Sequence, residues 1–291
     1  MNPELDVRAA ELGERYGYHM PVARLLALGE PGEDSPDRWV TAGELGIERE
    51  HVPEVIRVLL DERWNAQGED ATEMYAGIHA WRVLGDLRAD EAIPALIEVL
   101  ARSDEEWDDW ATEEIPIALG MIGPAAIPTL EQYLQGCSGE RYSCSDVAQA
   151  LVEIAERHHE TRDRIVRILT SKLERHSEQA PWLNGELVAY LLDLEAIEAA
   201  PLMEAAFAAG DVDLSIAGDW EDVAIELGLL TERSTLRPDL FRALREELSS
   251  ELESSMREPR APAQRKAKPK KKARRKQAEQ TRKKARQRKK R

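Results

Sequence analysis

The sequence predicts an all-α fold: a right-handed solenoid of stacked helix pairs, with degenerate end units and a basic C-terminal tail expected to be disordered. Three observations carry this. Four apolar segments align on a shared leucine, at Leu84, Leu119, Leu151 and Leu191, with spacings of 35, 32 and 40 residues. Self-similarity at such a period marks a repeat array. Each segment is followed by a second apolar run whose period is helical, with no strand-like alternation. Finally, charge divides the chain: residues 257–291 hold 19 basic and 2 acidic residues, a net +17, whereas Met1 to Met256 holds 21 basic against 54 acidic, a net −33.

Each unit justifies itself in turn. The first helices read W-R-V-L-G-D-L from Trp81, P-I-A-L-G-M-I from Pro116, A-Q-A-L-V-E-I from Ala148 and V-A-Y-L-L-D-L from Val188. In the second runs, Ile93, Leu96, Ile97 and Leu100 stand at i, i+3, i+4 and i+7, Ile127, Leu130 and Leu134 repeat the pattern with one position missing, and Ile165, Ile168 and Leu169 follow it. Pro94, Pro128 and Pro201 fall nine or ten residues after the shared leucine. Proline suits a helix start, where backbone N–H groups lack intrahelical acceptors in any case. Asp90 is a candidate cap for one such start.

The ends are weaker copies. Upstream, Leu45-Gly46 is followed by Pro53 and by Val55, Ile56, Leu59 and Leu60; before that, Pro21 to Leu28 reads as a helix leading into a turn-rich loop ending at Pro36. Downstream, Trp220, Leu227-Gly228, Pro238, Leu240 and Leu244 suggest a last degenerate unit. Atypical end units are expected, because a repeat stack must close its core against water. Gly136 to Ser145 reads as a loop. The domain boundaries are a solenoid over 1–246, a polar linker over 247–263 and a polybasic tail over 264–291.

The pattern L-G-x-L/I, a break, then A-I-P-x-L resembles HEAT-like repeats, above all the phycobilisome lyase-type subgroup found in many bacterial proteins. The resemblance covers roughly Ala42 to Leu230. It implies an α-solenoid whose second helices line the concave side. It also implies protein binding or, in a minority of relatives, an enzyme or chaperone such as a phycobilin lyase, acting on a chromophore with acidic residues in the groove.

Composition excludes several classes. No apolar run approaches the ~18 residues of a membrane helix, and the acidic N-terminus does not read as a signal peptide, so a cytoplasmic setting is expected. Two cysteines cannot build a disulfide framework. Cys137 and Cys144, with six residues between them in one loop, lack the CxxC spacing of zinc or redox motifs and are expected as free thiols. Metal is not expected either: His158-His159-Glu160 is one His-Glu pair where a di-iron HEAT-like hydroxylase needs several. No Ser-His-Asp motif, Walker loop, GxGxxG or HExxH occurs. No catalytic residue and no cofactor is therefore assigned.

Two candidate surfaces remain. The tail offers Lys268, Lys270, Lys271, Lys272, Arg274, Arg275 and Lys276, then Arg282, Lys283, Lys284, Arg286, Arg288, Lys289, Lys290 and Arg291 to a polyanion such as RNA or DNA. Such a run binds through counterion release, and its lack of aromatic residues withholds base stacking. The acidic body repels nucleic acid, which argues against the HEAT-like DNA glycosylases, and suits a basic protein or peptide. Asp104, Glu105, Glu106, Asp108 and Asp109 are the candidate protein-binding acids. Trp107 and Trp110 flank Asp108 and Asp109 at i and i+3, a core-packing interval, and Trp220-Glu221-Asp222 reads the same way, a packed ring with exposed acids. The expected function is a non-enzymatic scaffold or adaptor, the alternative a phycobilin lyase-like enzyme or chaperone. Lys172 is the single lysine of the body against 20 arginines, a bias no sequence reading explains.

Overall fold

In a computed structural model the protein is described over residues 3–32, 36–66, 71–106, 108–137 and 141–237; every regular element among them is helical. The expected linker, tail and final unit from Pro238 onward lie outside the described residues, as does Trp107.

The helices are α1 (Pro3–Tyr16), α2 (Arg24–Ala27), α3 (Ala42–Leu45), α4 (Val52–Leu59), α5 (Ala76–Asp86), α6 (Ile93–Glu106) and α7 (Asp109–Ile122). They continue as α8 (Ile127–Gly136), α9 (Tyr142–Arg157), α10 (Arg162–Leu173), α11 (Pro181–Asp193), α12 (Ala200–Ala209), α13 (Leu214–Ala217) and α14 (Trp220–Glu226). They form two layers. The first helices of the units pack in sequence, α5 on α7, α7 on α9 and α9 on α11, and the second helices likewise, α4 on α6, α6 on α8, α8 on α10 and α10 on α12. Contacts between successive units are what a solenoid requires.

The register read from sequence is the register of the fold. Leu84, Leu119, Leu151 and Leu191 are all fully buried, one in each of α5, α7, α9 and α11. Pro53, Pro94, Pro128 and Pro201 each stand second in α4, α6, α8 and α12. The glycine after the leucine sets how closely first helices approach. A Cβ at Gly85 would meet the Ala118 Cα at 3.0 Å, and one at Gly120 would meet the Glu153 Cβ at 2.7 Å. Four residues after the leucine the chain must reverse, and Arg88 (φ 50°), Gly123 (φ 89°) and Glu195 (φ 51°) do so at positive φ. In the unit of Leu151 α9 runs on to Arg157, so Ala155 remains helical.

Arginines tie neighbouring units. Arg49 Nη1 donates to the Leu87 and Arg88 carbonyls at 3.1 and 3.0 Å, while its Nη2 reaches the Asp90 carboxylate at 2.9 Å. Arg162 repeats the bridge, donating to the Leu194 and Glu195 carbonyls at 2.9 and 3.0 Å and to Glu198 at 2.8 Å. This corrects the capping role expected of Asp90. It sits in a one-turn 3-10 helix, Asp90–Ala92, ahead of α6, with its carboxylate turned to Arg49.

Three further expectations are corrected. The helix expected over Pro21 to Leu28 is only Arg24–Ala27, preceded by turns and packed on α1. The loop expected to extend to Ser145 ends sooner, because α9 already begins at Tyr142. Cys137 and Cys144 are not free thiols: they are joined in a disulfide, their Cα atoms 6.2 Å apart. That separation lies within the range a disulfide spans; the end of α8 and the first turn of α9 bring the two together.

Candidate functional site

Counting back from the shared leucines shows what the first-helix layer presents. Nine residues before them stand Tyr75, Trp110, Tyr142 and Trp182, one aromatic residue in every unit. Five before them stand His79, Glu114, Asp146 and Glu186, and two after them Asp86, Met121, Glu153 and Asp193. Offsets of four and seven return a helix to the same side, so these rows lie along one face. The intervening positions, such as Ala80, Ile115, Val147 and Leu187, are buried in the core.

The aromatic row is accessible. Tyr142 is 43% exposed, and Tyr75, Trp110 and Trp182 are half-buried against the core. Tyr142 and Trp182 stack with ring centroids 4.8 Å apart and planes 29° from parallel. In the neighbouring unit, the Arg82 guanidinium lies 4.9 Å from the Trp39 ring and 5.9 Å from the Trp110 ring.

The ionisable row is compensated where it is deepest. Arg82 and Glu114, both buried, form a two-pronged pair through Nε to Oε2 at 2.7 Å and Nη2 to Oε1 at 2.5 Å. Trp81 Nε1 donates to the same Oε2 at 2.9 Å. Burial drives the His79 pKa down to about 4, so its ring is neutral and Nε2 is 2.8 Å from the Gly29 carbonyl oxygen. Asp146 is buried and Glu186 half-buried in the next two units.

The acids singled out from sequence divide. Asp104 is turned inward: its carboxylate accepts from Arg141 Nε at 3.0 Å, from the Ser143 N–H at 2.9 Å and from the Ser143 hydroxyl at 2.6 Å. Asp108 caps α7, accepting from the Ala111 N–H at 3.2 Å. Asp109 is exposed in the first turn, beside Trp110 of the aromatic row. Glu105 and Glu106 end α6, and their side chains lie outside the described residues. The polyanion-binding residues Lys268 to Arg291 also lie outside them.

At the C-terminal end Trp220 packs on the core and Phe207, as expected, but its acids are engaged rather than exposed. Glu221 accepts from Ser234 and Thr235, which hold its carboxyl down to about 2, while Asp222 pairs with Arg233 and Arg237. His158 and His159 lie at the end of α9 and in the turn after it; among the described residues no three His, Cys, Asp or Glu converge as a metal site. None of the described helices is long and apolar enough to cross a membrane.

The family model for the PBS lyase HEAT-like repeat matches residues 80–102, the end of α5, the 3-10 turn and most of α6. The chain carries a HEAT-like repeat. The layered packing extends that unit to its neighbours as an all-helical array consistent with an α-solenoid. A HEAT-like array is a helical scaffold suited to protein interaction. No curated protein and no solved structure matches the chain significantly.

The sequence reading missed the aromatic and ionisable rows. The signal was available: the leucine register fixes every other position of the unit, and only the positions of known chemistry were read against it.

Proposed function

We propose that this HEAT-like protein is a non-enzymatic scaffold that takes a basic segment of a partner protein on its first-helix face and a polyanion, RNA or DNA, on its basic tail. The observation that carries the reading is the repetition of an aromatic ring and an ionisable group at the same two positions of four successive units. Arginine and lysine side chains gain from the rings through cation–π contact and from the acids of the body through ion pairing. Arg82 between Trp39 and Trp110, paired with Glu114, is an internal example of that chemistry. The test is a titration of labelled Arg/Lys-rich peptides into residues 1–256, with acidic peptides of equal length as controls. Tight, salt-sensitive binding of the basic set alone supports the reading; equal binding of both sets ends it.

A second reading is favoured by the buried Asp146 and half-buried Glu186 carboxylates in the helices that carry Tyr142 and Trp182. A phycobilin lyase-like chaperone would hold a linear tetrapyrrole there, its pyrrole nitrogens on Asp146 or Glu186. A bilin added to the protein would then show a shifted visible absorption band that Trp182→Ala removes.

A further inference from the structure

The single lysine of the body stands beside the cysteine pair. Lys172, on α10, is 1% exposed. Its ammonium donates to the Cys137 carbonyl at 3.0 Å and lies 3.8 Å from the Cys137 sulfur. In a body that otherwise uses arginine, this position holds a compact cation on a flexible stem, which fits a buried space beside sulfur. The two sulfurs differ in access: Cys137 is half-buried at the end of α8, whereas Cys144 is fully buried in the first turn of α9.

We propose that Cys137 and Cys144 form a reversible thiol–disulfide site, with Lys172 as the cation that holds reduced Cys137 as a thiolate and small thiols as the reductant. Reduction begins when an external thiolate attacks the accessible Cys137 sulfur. A bond forms between the two sulfurs, the Cys137–Cys144 bond breaks, and its electron pair leaves on Cys144, which takes a proton. A second external thiolate then attacks the sulfur of the first in the mixed disulfide. Cys137 leaves as a thiolate beside Lys172, and the two external thiols depart as one disulfide. Two electrons pass to the protein pair and two external thiols are oxidised. Oxidation is the same sequence reversed.

The surroundings suit each role. A nearby ammonium lowers the pKa of a thiol and favours its release as an anion. The first turn of a helix favours negative charge on the leaving Cys144. Burial brings the Lys172 pKa down to about 8 while its neighbour is a neutral disulfide, with Arg175 acting in the same direction. A thiolate at Cys137 supplies the missing counter-charge, so the cation and the reduced state stabilise one another. The other charged groups at the site are Arg175, which donates to the Gln135 carbonyl on α8 at 2.7 Å, and the Asp104–Arg141 pair beside Ser143.

The experiment uses the full chain. In buffers of reduced and oxidised glutathione, alkylation in denaturant followed by mass spectrometry should count two thiols or none, reversibly. In Cys144→Ser, the remaining Cys137 thiol should titrate below the ~8.5 of a free cysteine, read by thiolate absorbance. At neutral pH iodoacetamide should modify it roughly 3–10-fold faster than in Cys144→Ser/Lys172→Met, the gain in thiolate fraction being partly offset by lower nucleophilicity. Cys144→Ser/Lys172→Arg keeps the cation and should retain most of the rate, which separates charge from folding. A Cys137 thiol titrating at ~8.5 or above, or a pair that stays reduced in oxidised glutathione, would overturn the proposal.

Discussion

Tyr142 and Trp182 stack at 4.8 Å although 40 residues separate them, because each stands nine residues before the buried leucine of its own unit. The repeat register therefore positions surface chemistry as well as core. Once Leu151 and Leu191 are buried side by side, the rings nine residues earlier are brought together at the opposite end of α9 and α11.

Removing one ring tests the face. Trp182→Ala should lower affinity for an Arg-rich peptide roughly 5–30-fold, since a cation–π contact contributes about 1–2 kcal/mol. Losing the stack should cost about 0.5–1.5 kcal/mol of stability beyond the buried area of the ring. Calorimetric binding with and without the substitution reads the first effect. Unchanged affinity would remove Trp182 from the site.

The buried fork between Arg82 and Glu114 makes an asymmetric prediction. Glu114→Ala leaves a desolvated guanidinium between two tryptophans and should destabilise by about 3–5 kcal/mol. Replacing both partners, Arg82→Met with Glu114→Leu, should cost far less, because no buried charge remains. Chemical denaturation of the three variants measures the difference. A double variant as unstable as the single one would show that packing, rather than charge, decides the site.

Much of this was legible in sequence, for a physical reason. Core positions obey one period, so Leu84, Leu119, Leu151 and Leu191 and the prolines at the second-helix starts reveal themselves in a single chain. What was not legible depends on how separate units meet. The Glu221 carboxylate reads as exposed until the chain returns with Ser234 and Thr235. Asp104 reads as a surface acid until Ser143 of the next unit but one reaches it. Cys137 and Cys144 read as free until the early start of α9 closes the distance between them.

Glu195 is a non-glycine residue held at φ 51° where the unit of Leu119 uses Gly123. The left-handed region costs an L-residue about 1–2 kcal/mol, of which glycine returns part through its greater freedom when unfolded. Glu195→Gly should therefore stabilise by about 0.5–1 kcal/mol, raising Tm by roughly 1–4 °C for a domain of this size. A fall in Tm would mean that the Glu195 side chain contributes something its exposed position does not show.

His79 gives the fold a pH response. Its pKa is about 4 when folded and 6.5 unfolded, so between those values the unfolded chain binds the extra proton. Stability due to the neutral ring is complete above pH 6.5 and is lost as pH falls toward 4. The whole effect is about 3 kcal/mol at most. His79→Gln keeps a donor for the Gly29 carbonyl but does not titrate. The difference in unfolding free energy between the two proteins should shift in favour of the variant as pH drops from 7 to 4. A constant difference across that window would show that His79 remains protonatable when folded.

The tail and the body carry opposite charge on one chain, and this should couple the ligands proposed for them. Residues 257–291 bring +17 to a body of −33 on the same chain, and covalent linkage raises the effective concentration of each charged segment at the other. The tail is thus expected to compete with any basic partner for the acidic face. If the tail takes the proposed polyanion, that binding should free the face, and a basic partner on the face should free the tail, so the two ligands should favour each other by the same factor. Removing residues 257–291 should raise the affinity of the body for a basic peptide by about 2–10-fold at low salt. The gain should vanish when added salt shortens the screening length to a few ångströms. Nucleic-acid binding should be lost with the same truncation. In the full chain it should fall about 10³–10⁵-fold between 50 and 200 mM salt if the tail neutralises 6–10 phosphates. Peptide titrations of both lengths, with and without a short RNA, measure every term. Truncation that leaves peptide affinity unchanged at low salt would show that tail and face act independently, and strong RNA binding by the truncated protein would move the polyanion site to the body.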